Sequence, residues 1–126
     1  NQILAEISAG ELIDKITILE IKKIKITDKD KLIEIHKELL SLNLILEKNI
    51  SDLSKIEKFR NDLKNINLKL WDIENGKREC EKNNDFKEKF ISLARNVYKF
   101  NDERAKAKIA INKILRSNIK EVKSYF

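Results

Sequence analysis

Residues 32–70 read LIEIHKELLSLNLILEKNISDLSKIEKFRNDLKNINLKL, and this stretch decides the fold class. Apolar side chains recur at heptad spacing in two series, Leu32, Leu39, Leu46 and Leu53 in the first and Ile35, Leu42, Ile56, Leu63 and Leu70 in the second. This spacing is the pattern of helices that pack side by side in coiled coils and bundles. The chain contains no proline and only two glycines, so few residues oppose long helices. The sequence therefore predicts an all-α protein.

Two polar stretches divide this helical pattern. Asn49 falls on the apolar seam, and Ser51 and Asp52 are favourable N-caps, so we expect a helix break at residues 49–52. Residues 83–85, Asn-Asn-Asp, form the next turn. The predicted helices span about residues 9–26, 29–49, 52–83 and 86–116, followed by a C-terminal tail at residues 117–126. Together they form a single helical domain over residues 1–126, a length that suits one core.

The predicted architecture is an antiparallel bundle of about four helices, because short connections favour antiparallel neighbours. At about 1.5 Å per residue, the third and fourth helices are about 45 Å long and form a hairpin that extends beyond the first two. The stripe expected to be buried on the fourth helix is Phe86, Phe90, Leu93, Val97, Phe100, Ala107, Ile111 and Ile114. Apolar surface on the extension has to be covered, which predicts a homo-oligomer and favours a homodimer.

The first helix has a clear start. Ser8 is the expected N-cap, and Glu11 is the expected reciprocal partner in a capping box. Apolar residues lie around most of the helix circumference, which predicts contact with more than one neighbour. Asp14 falls with Glu11 on the side assigned to solvent. Glu20 instead lies between apolar positions, so we expect it to pair with an arginine of the fourth helix.

Composition restricts the function classes. Cys80 is the single cysteine and His36 the single histidine, so the sequence predicts no disulfide and no metal site. It contains no glycine-rich phosphate loop, and we expect no cofactor. No run approaches the roughly 20 apolar residues of a membrane helix, and no signal-peptide pattern begins the sequence. We therefore expect a cytoplasmic protein without membrane contact.

The positive charge is concentrated in the last third of the chain. The net charge is +6, and residues 85–126 carry 11 Lys and Arg against 5 Asp and Glu. A basic helix face attracts anions, including nucleic acids and carboxylate ligands. These basic residues are not interleaved with exposed aromatic residues, however, which argues against nucleic-acid binding and favours a solvated surface.

Polar residues interrupt the apolar stripes of the third and fourth helices. Burying these side chains costs free energy unless they pair with other polar groups or bind a ligand. In an antiparallel hairpin, Glu74 and Arg78 come close to Arg95 and Tyr98, while residues 104–108 lie farther from the turn. With Glu20, these stripes form a predicted polar pocket. The candidate ligand-binding residues are Glu20, Trp71, Glu74, Arg78, Arg95, Tyr98, Asn101, Asp102, Arg104 and Lys108.

Three functions remain open for this polar cluster. The leading hypothesis is a pocket for a small anionic or polyhydroxylated ligand in a helical homo-oligomer. The alternative is a structural or partner-binding helical module, in which the polar residues pair among themselves and fix the helix register. A metal-independent helical-bundle enzyme is the third, and it rests on analogy of fold alone. Whether the protein is an enzyme stays undecided.

Five segments carry a family resemblance: SAGELIDKITILE at residues 8–20, LWDIE at 70–74, LARNVY at 93–98, NDERA at 101–105 and EVKSY at 121–125. In this order they resemble an uncharacterised bacterial domain family of unknown function. The resemblance implies a single all-helical domain and no particular activity. Its polar motif positions correspond to Glu11, Asp14, Lys15, Glu20, Trp71, Glu74, Arg78, Arg95, Tyr98, Asn101, Asp102, Arg104, Lys108 and Asn112. Where the family pattern suggests an acid after Glu74, this chain has Asn75 and Gly76.

Overall fold

The computed structural model describes residues 1–117 and 122–124. Within these residues there are four α-helices, α1 (Ala9–Lys25), α2 (Lys29–Asn49), α3 (Glu57–Lys82) and α4 (Glu88–Ile114), and a short 3-10 helix at Ser54–Ile56 precedes α3. No described residue lies in a β-strand, so the predicted all-α class is confirmed. Residues 118–121, 125 and 126 of the predicted C-terminal tail lie outside the described residues.

α1 lies at the centre of the bundle and contacts α2, α3 and α4, which confirms the expectation from its apolar circumference. Its N-cap is Ser8, whose hydroxyl accepts a hydrogen bond from the backbone N–H of Glu11 at 3.1 Å. The Glu11 carboxylate does not face back toward Ser8 as a capping box predicts. It instead accepts a hydrogen bond from Lys108 Nζ of α4 at 2.7 Å. The first turn of α1 is therefore tied to α4 by its side chains.

One apolar core joins the helices. Its buried members are Leu12, Ile13, Ile16, Leu19, Ile35, Leu39, Leu46, Ile56, Leu63, Ala107 and Ile111. The heptad positions of residues 32–70 supply five of these side chains. Each buried Leu or Ile stabilises the fold by about 1.5–3 kcal/mol relative to exposure, so the seam that predicted the helices also holds them together.

The chain leaves α2 at Asn49, where the sequence indicates a break. The Ser54 hydroxyl and backbone N–H donate to Asp52 Oδ1 at 2.6 Å and 3.0 Å, and these bonds hold the pKa of Asp52 below its usual value. This turn leads into the 3-10 helix Ser54–Ile56, whose N-cap is Leu53, rather than directly into an α-helix. As a result α3 begins at Glu57 and not near residue 52.

The α3–α4 turn is also held locally. Asp85 Oδ1 accepts a hydrogen bond from the backbone N–H of Lys87 at 3.2 Å, and the N–H of Asp85 donates to the carbonyl of Cys80 at 2.8 Å. Asn84 has a φ of 52°, in the left-handed region that Asn tolerates better than most residues. These contacts delay α4 until Glu88, two residues after the predicted start.

The end of the hairpin near this turn is more exposed than the sequence indicated. The buried side chains of α4 all lie between Ala105 and Asn112. The predicted burial of Phe86 and Ile114 is wrong, because these side chains are 50% and 37% exposed. Phe86 lies in the turn before α4, and Ile114 is the last residue of α4, at its opposite end. Neither side chain is enclosed between two helices. Phe86 instead packs edge-to-face on Phe90, with ring centroids 5.5 Å apart.

Candidate functional site

A buried carboxylate on α1 organises the polar residues between the helices. Asp14 is fully buried, and Arg104 of α4 binds both of its oxygens: Nε donates to Oδ1 at 2.9 Å, and Nη2 donates to Oδ2. Asn67 of α3 donates from Nδ2 to the same Oδ1 at 2.9 Å. One side chain of α1 thus links α3 and α4, through a bidentate pair that fixes the plane of the guanidinium.

Thr17 completes this polar network. Its buried hydroxyl donates to the backbone carbonyl of Asp14 at 2.8 Å and accepts a hydrogen bond from Asn67 Nδ2 at 3.0 Å. Asn67 thereby bridges two residues that lie one turn apart on α1. Each of these buried polar groups has a partner, and away from water such bonds are stronger than on a surface.

A pocket of about 360 Å³ adjoins the network. Its lining is formed by Ile18, Ile21, Asn67, Leu70, Trp71, Glu74, Asn75, Arg78 and Arg104. These residues come from α1, α3 and α4, so the pocket lies where three helices meet. The volume is at the small end of the range for small-molecule sites, and the combination of apolar walls with a few polar groups is typical of them.

Two arginines bring positive charge to the pocket lining. Arg104 is held by Asp14 on one side, yet its side chain remains 30% exposed. Arg78 is exposed, and within residues 1–117 and 122–124 it makes no ion pair. Glu74 is partly neutralised by Lys77, whose Nζ lies 3.3 Å from Glu74 Oε1. A guanidinium already held in one plane is suited to bind a carboxylate or phosphate.

A second polar cluster fixes the N-terminus of α1 against α4. The backbone N–H of Gly10 donates to Asn112 Oδ1 at 2.7 Å, and the N–H of Ala9 donates to Ser117 Oγ at 2.8 Å. With the bond from Glu11 to Ser8, the first three N–H groups of α1 all have side-chain acceptors. The backbone N–H groups at the N-terminus of α1 are therefore satisfied by side chains of the protein itself.

Gly10 permits this close approach. A Cβ at this position would lie 2.6 Å from the carbonyl oxygen of Lys108 and 2.8 Å from Asn112 Oδ1. Both distances are shorter than the contacts that a Cβ atom makes in proteins. The first is to a backbone atom, which cannot move aside as the end of a flexible side chain can. Asn112 is buried, and among the residues that the structure describes its Nδ2 has no hydrogen-bond partner. The Lys108 side chain is 8% exposed and reaches Glu11, so it belongs to this cluster rather than to the pocket.

The sequence matches a protein family described as a family of unknown function, DUF6165, over residues 3–126. The chain belongs to this family. No curated protein and no solved structure matches it significantly. Membership in DUF6165 agrees with the resemblance drawn from the five motifs, and it brings no activity with it. The function of this DUF6165 chain therefore has to be argued from its site.

Four of the predicted candidates line the DUF6165 pocket, namely Trp71, Glu74, Arg78 and Arg104. Glu20 does not, and its expected pairing with an arginine of the fourth helix is wrong. Its carboxylate lies 3.9 Å from Arg60 and 3.9 Å from Lys64, both on α3. Glu20 and Asp14 lie on different sides of α1, so α3 supplies the cations that reach Glu20.

Arg95 and Tyr98 do not join Glu74 and Arg78 as the hairpin geometry suggested. Arg95 lines a separate groove formed by α4 alone, and Tyr98 is 55% exposed. The rotation of α4 explains this. Leu93 faces α3 and would lie 3.0 Å from a Cβ on Gly76. Residues two apart on a helix point about 200° apart, so Arg95 faces away.

The remaining candidates lie farther from the pocket lining. Asn101 is half-buried, and Asp102 is exposed with its Oδ1 3.1 Å from Lys123 Nζ. Within the described ranges, no group of three His, Cys, Asp or Glu side chains is arranged to hold a metal ion. No helix there is long and apolar enough to cross a bilayer.

Sequence reasoning assigned Asp14 to solvent and gave Thr17 no role. On a helical projection Asp14 falls on the polar side with Glu11, but in the structure this residue is turned toward α3 and α4. The motif positions of the family resemblance included Asp14 and Asn112, and Asn112 also continues the polar stripe of Asn101, Arg104 and Lys108 along the fourth helix. Thr17 lay within a quoted motif but was not among its polar positions.

Proposed function

We propose that this DUF6165 protein binds a small anionic or polyhydroxylated ligand in the pocket between α1, α3 and α4. The proposal is carried by one observation: Arg78 and Arg104 line the same pocket as Trp71. The two guanidiniums come from different helices and offer planar sets of donors to an anionic group. The indole offers a flat apolar surface beside them.

The chemistry of the pocket restricts the ligand. Ile18, Ile21 and Leu70 form an apolar wall, so a bare inorganic anion would leave part of the pocket unused. A molecule with a phosphate or carboxylate at one end and a ring or sugar at the other matches both the arginines and the apolar wall of the pocket. The Asn67 amide oxygen and the Glu74 carboxylate would then accept hydrogen bonds from hydroxyl groups of the ligand. A sugar phosphate is the simplest molecule with this combination.

The proposal includes self-association and a reducing compartment. Apolar side chains on α2 and on the distal hairpin are exposed, among them Leu40 and Ile91, and a homodimer would cover part of this surface. Cys80 is buried with a free thiol and is the single cysteine, which suits the cytoplasm.

A structural role is the second candidate, and the saturation of Asp14 favours it. Both carboxylate oxygens are bound by Arg104, and Asn67 adds a third hydrogen bond. A closed network of this kind can lock the register of three helices without any ligand. The two candidates differ in what they predict for Arg78, which takes no part in the network.

A thermal-shift screen separates these candidates. The probes are inorganic phosphate, glucose 6-phosphate, a nucleoside monophosphate and citrate, with glucose as the uncharged control. A ligand at 100 times its dissociation constant stabilises the folded state by about 2.7 kcal/mol. We expect at least one charged probe to raise the melting temperature of the wild type and of Arg95→Gln, but not of Arg78→Gln.

Arg95→Gln is the matched control, because it removes an equivalent charge from α4 outside the pocket. Equal shifts for both variants would contradict binding in this pocket. No shift with any charged probe would favour the structural role.

A further inference from the structure

The side of α2 that faces away from the core carries a second apolar stripe. Ile33, Leu40 and Leu44 are 63%, 64% and 52% exposed, although each is a large aliphatic side chain. At 100° per residue they lie within about 40° of one another around the helix, on the side roughly opposite the core residue Ile35. Soluble proteins rarely leave such a stripe uncovered unless it is an interface.

Charged residues lie on both sides of this stripe in a regular order. Lys29 and Glu47 lie along one side, and Asp30 and Lys48 lie along the other. On each side the residue at the N-terminal end and the residue at the C-terminal end carry opposite charges. All four side chains are exposed, and within the described parts of the chain none of them forms an ion pair.

We propose that α2 pairs with α2 of a second copy of this chain in an antiparallel arrangement. When two copies of α2 lie antiparallel across a twofold axis, residues on the same side of the stripe face each other. Lys29 then faces Glu47 of the second copy about an axis at residue 38, and Asp30 faces Lys48 about an axis at residue 39. Opposite charges meet at both ends of both helices.

The apolar residues of the stripe fit a twofold axis at the same place along α2. With the axis between residues 38 and 39, Ile33 packs against Leu44 of the second copy, and Leu40 packs against the aliphatic stem of Lys37. The apolar stripe is therefore compatible with the register that the charges specify. A parallel pair would leave Lys29 about 27 Å from Glu47 of the other copy, because 18 residues separate them at 1.5 Å each.

This inference rests on the proposed self-association and names its surface, and it is independent of the ligand. No residue of α2 lines the pocket between α1, α3 and α4. A dimer through α2 leaves both pockets open. The two proposals therefore fail or succeed separately.

Sedimentation velocity on the full chain at micromolar concentrations tests the surface. We expect a dimer for the wild type, and Leu40→Glu to weaken it at least about 100-fold, because a carboxylate would be buried in the apolar stripe. Ile91→Glu is the matched control, since Ile91 is 54% exposed on α4 and lies outside this surface. The far-UV circular dichroism of both variants checks that they fold.

A charge exchange tests the orientation. Lys29→Glu replaces two attractive contacts by repulsive ones and should weaken the dimer about tenfold. Adding Glu47→Lys restores the opposite charges and should return the dissociation constant to within about twofold of the wild type. Both substitutions introduce a charge that interacts favourably with the dipole of α2. A weaker dimer therefore cannot result from a less stable α2 helix.

The outcomes are distinguishable. A dimer that resists Leu40→Glu but is lost in Ile91→Glu would overturn the α2 surface and leave self-association intact. A dimer in which Glu47→Lys does not rescue Lys29→Glu would overturn the antiparallel register. A wild type that stays monomeric at every concentration would overturn both the surface and the proposed self-association.

Discussion

Asp14 of α1 and Arg104 of α4 form a bidentate pair in which the carboxylate is 1% exposed and the guanidinium side chain 30% exposed. The pair therefore joins two environments. Asp14 belongs to the interior, where Asn67 and Thr17 surround it, and Arg104 also lines the pocket. The same side chain thus holds the buried carboxylate of α1 and forms part of the pocket lining.

Breaking this pair by changing one partner should be costly. Asp14→Asn keeps the shape of the side chain but removes the buried negative charge that binds Arg104, and we expect a loss of about 3–5 kcal/mol in the free energy of unfolding. Urea denaturation followed by circular dichroism measures it. Arg104→Met added to Asp14→Asn should cost much less than the sum of the two single changes. Additive losses would contradict a coupled pair.

Glu20 should behave differently although it also makes ion pairs. Its carboxylate lies 3.9 Å from the nitrogens of Arg60 and Lys64, and all three side chains are about one third exposed. Such long and solvated pairs contribute little, so we expect Glu20→Gln to change the free energy of unfolding by less than about 1 kcal/mol. The same urea denaturation applies. A loss as large as that of Asp14→Asn would show that Glu20 has a partner of another kind.

The close approach of α1 and α4 makes Gly10 sensitive to any side chain. Gly10→Ala would place a methyl group 2.6 Å from the backbone oxygen of Lys108, and we expect a loss of about 1–3 kcal/mol as the helices move apart. Gly76→Ala is the control in α3, where the added methyl group meets the end of the Leu93 side chain at 3.0 Å. Leu93 can turn aside, and the better helix propensity contributes up to about 1 kcal/mol. Equal losses in thermal denaturation would contradict this difference.

Asn112 and Ser117 both accept hydrogen bonds from the start of α1, but in different surroundings. Asn112→Ala leaves the buried N–H of Gly10 without an acceptor, and we expect it to cost about 1–3 kcal/mol. Ser117→Ala removes the acceptor for Ala9 at a partly buried position that water can reach, so its cost should stay below about 1 kcal/mol. Hydrogen exchange of the Gly10 amide measures the local effect. Its exchange should accelerate in Asn112→Ala and not in Ser117→Ala.

The backbone architecture was the more predictable part of this protein. Heptad spacing, the absence of proline and the Ser8 cap are local signals, and they indicated the helices, the break after Asn49 and the central place of α1. Arg104 was also among the polar residues expected to interrupt the apolar stripe of the fourth helix, because its position follows from the helical period. These features depend on residues close together in the chain.

Pairing between helices was less predictable, because it depends on how each helix is rotated and how far it slides along its neighbours. Asp14 looked solvated on a helical projection, and its burial required α3 and α4 to lie against that side of α1. Arg95 looked close to Glu74, and the packing of Leu93 on Gly76 turned it away. A sequence pattern indicates which side of a helix is buried, but not which neighbouring helix packs against that side.

Trp71 fluorescence tests the central claim most directly, because Trp71 is the single tryptophan and lines the pocket. The measurement is a titration of the wild type, Arg78→Gln and Arg95→Gln with glucose 6-phosphate, or with the charged probe that gives the largest thermal shift. We predict a saturable change in Trp71 emission for the wild type and Arg95→Gln, and binding weakened about tenfold or more in Arg78→Gln through loss of a charged hydrogen-bond donor. Emission that no charged probe alters, or equal affinity in all three proteins, would contradict a ligand site between α1, α3 and α4.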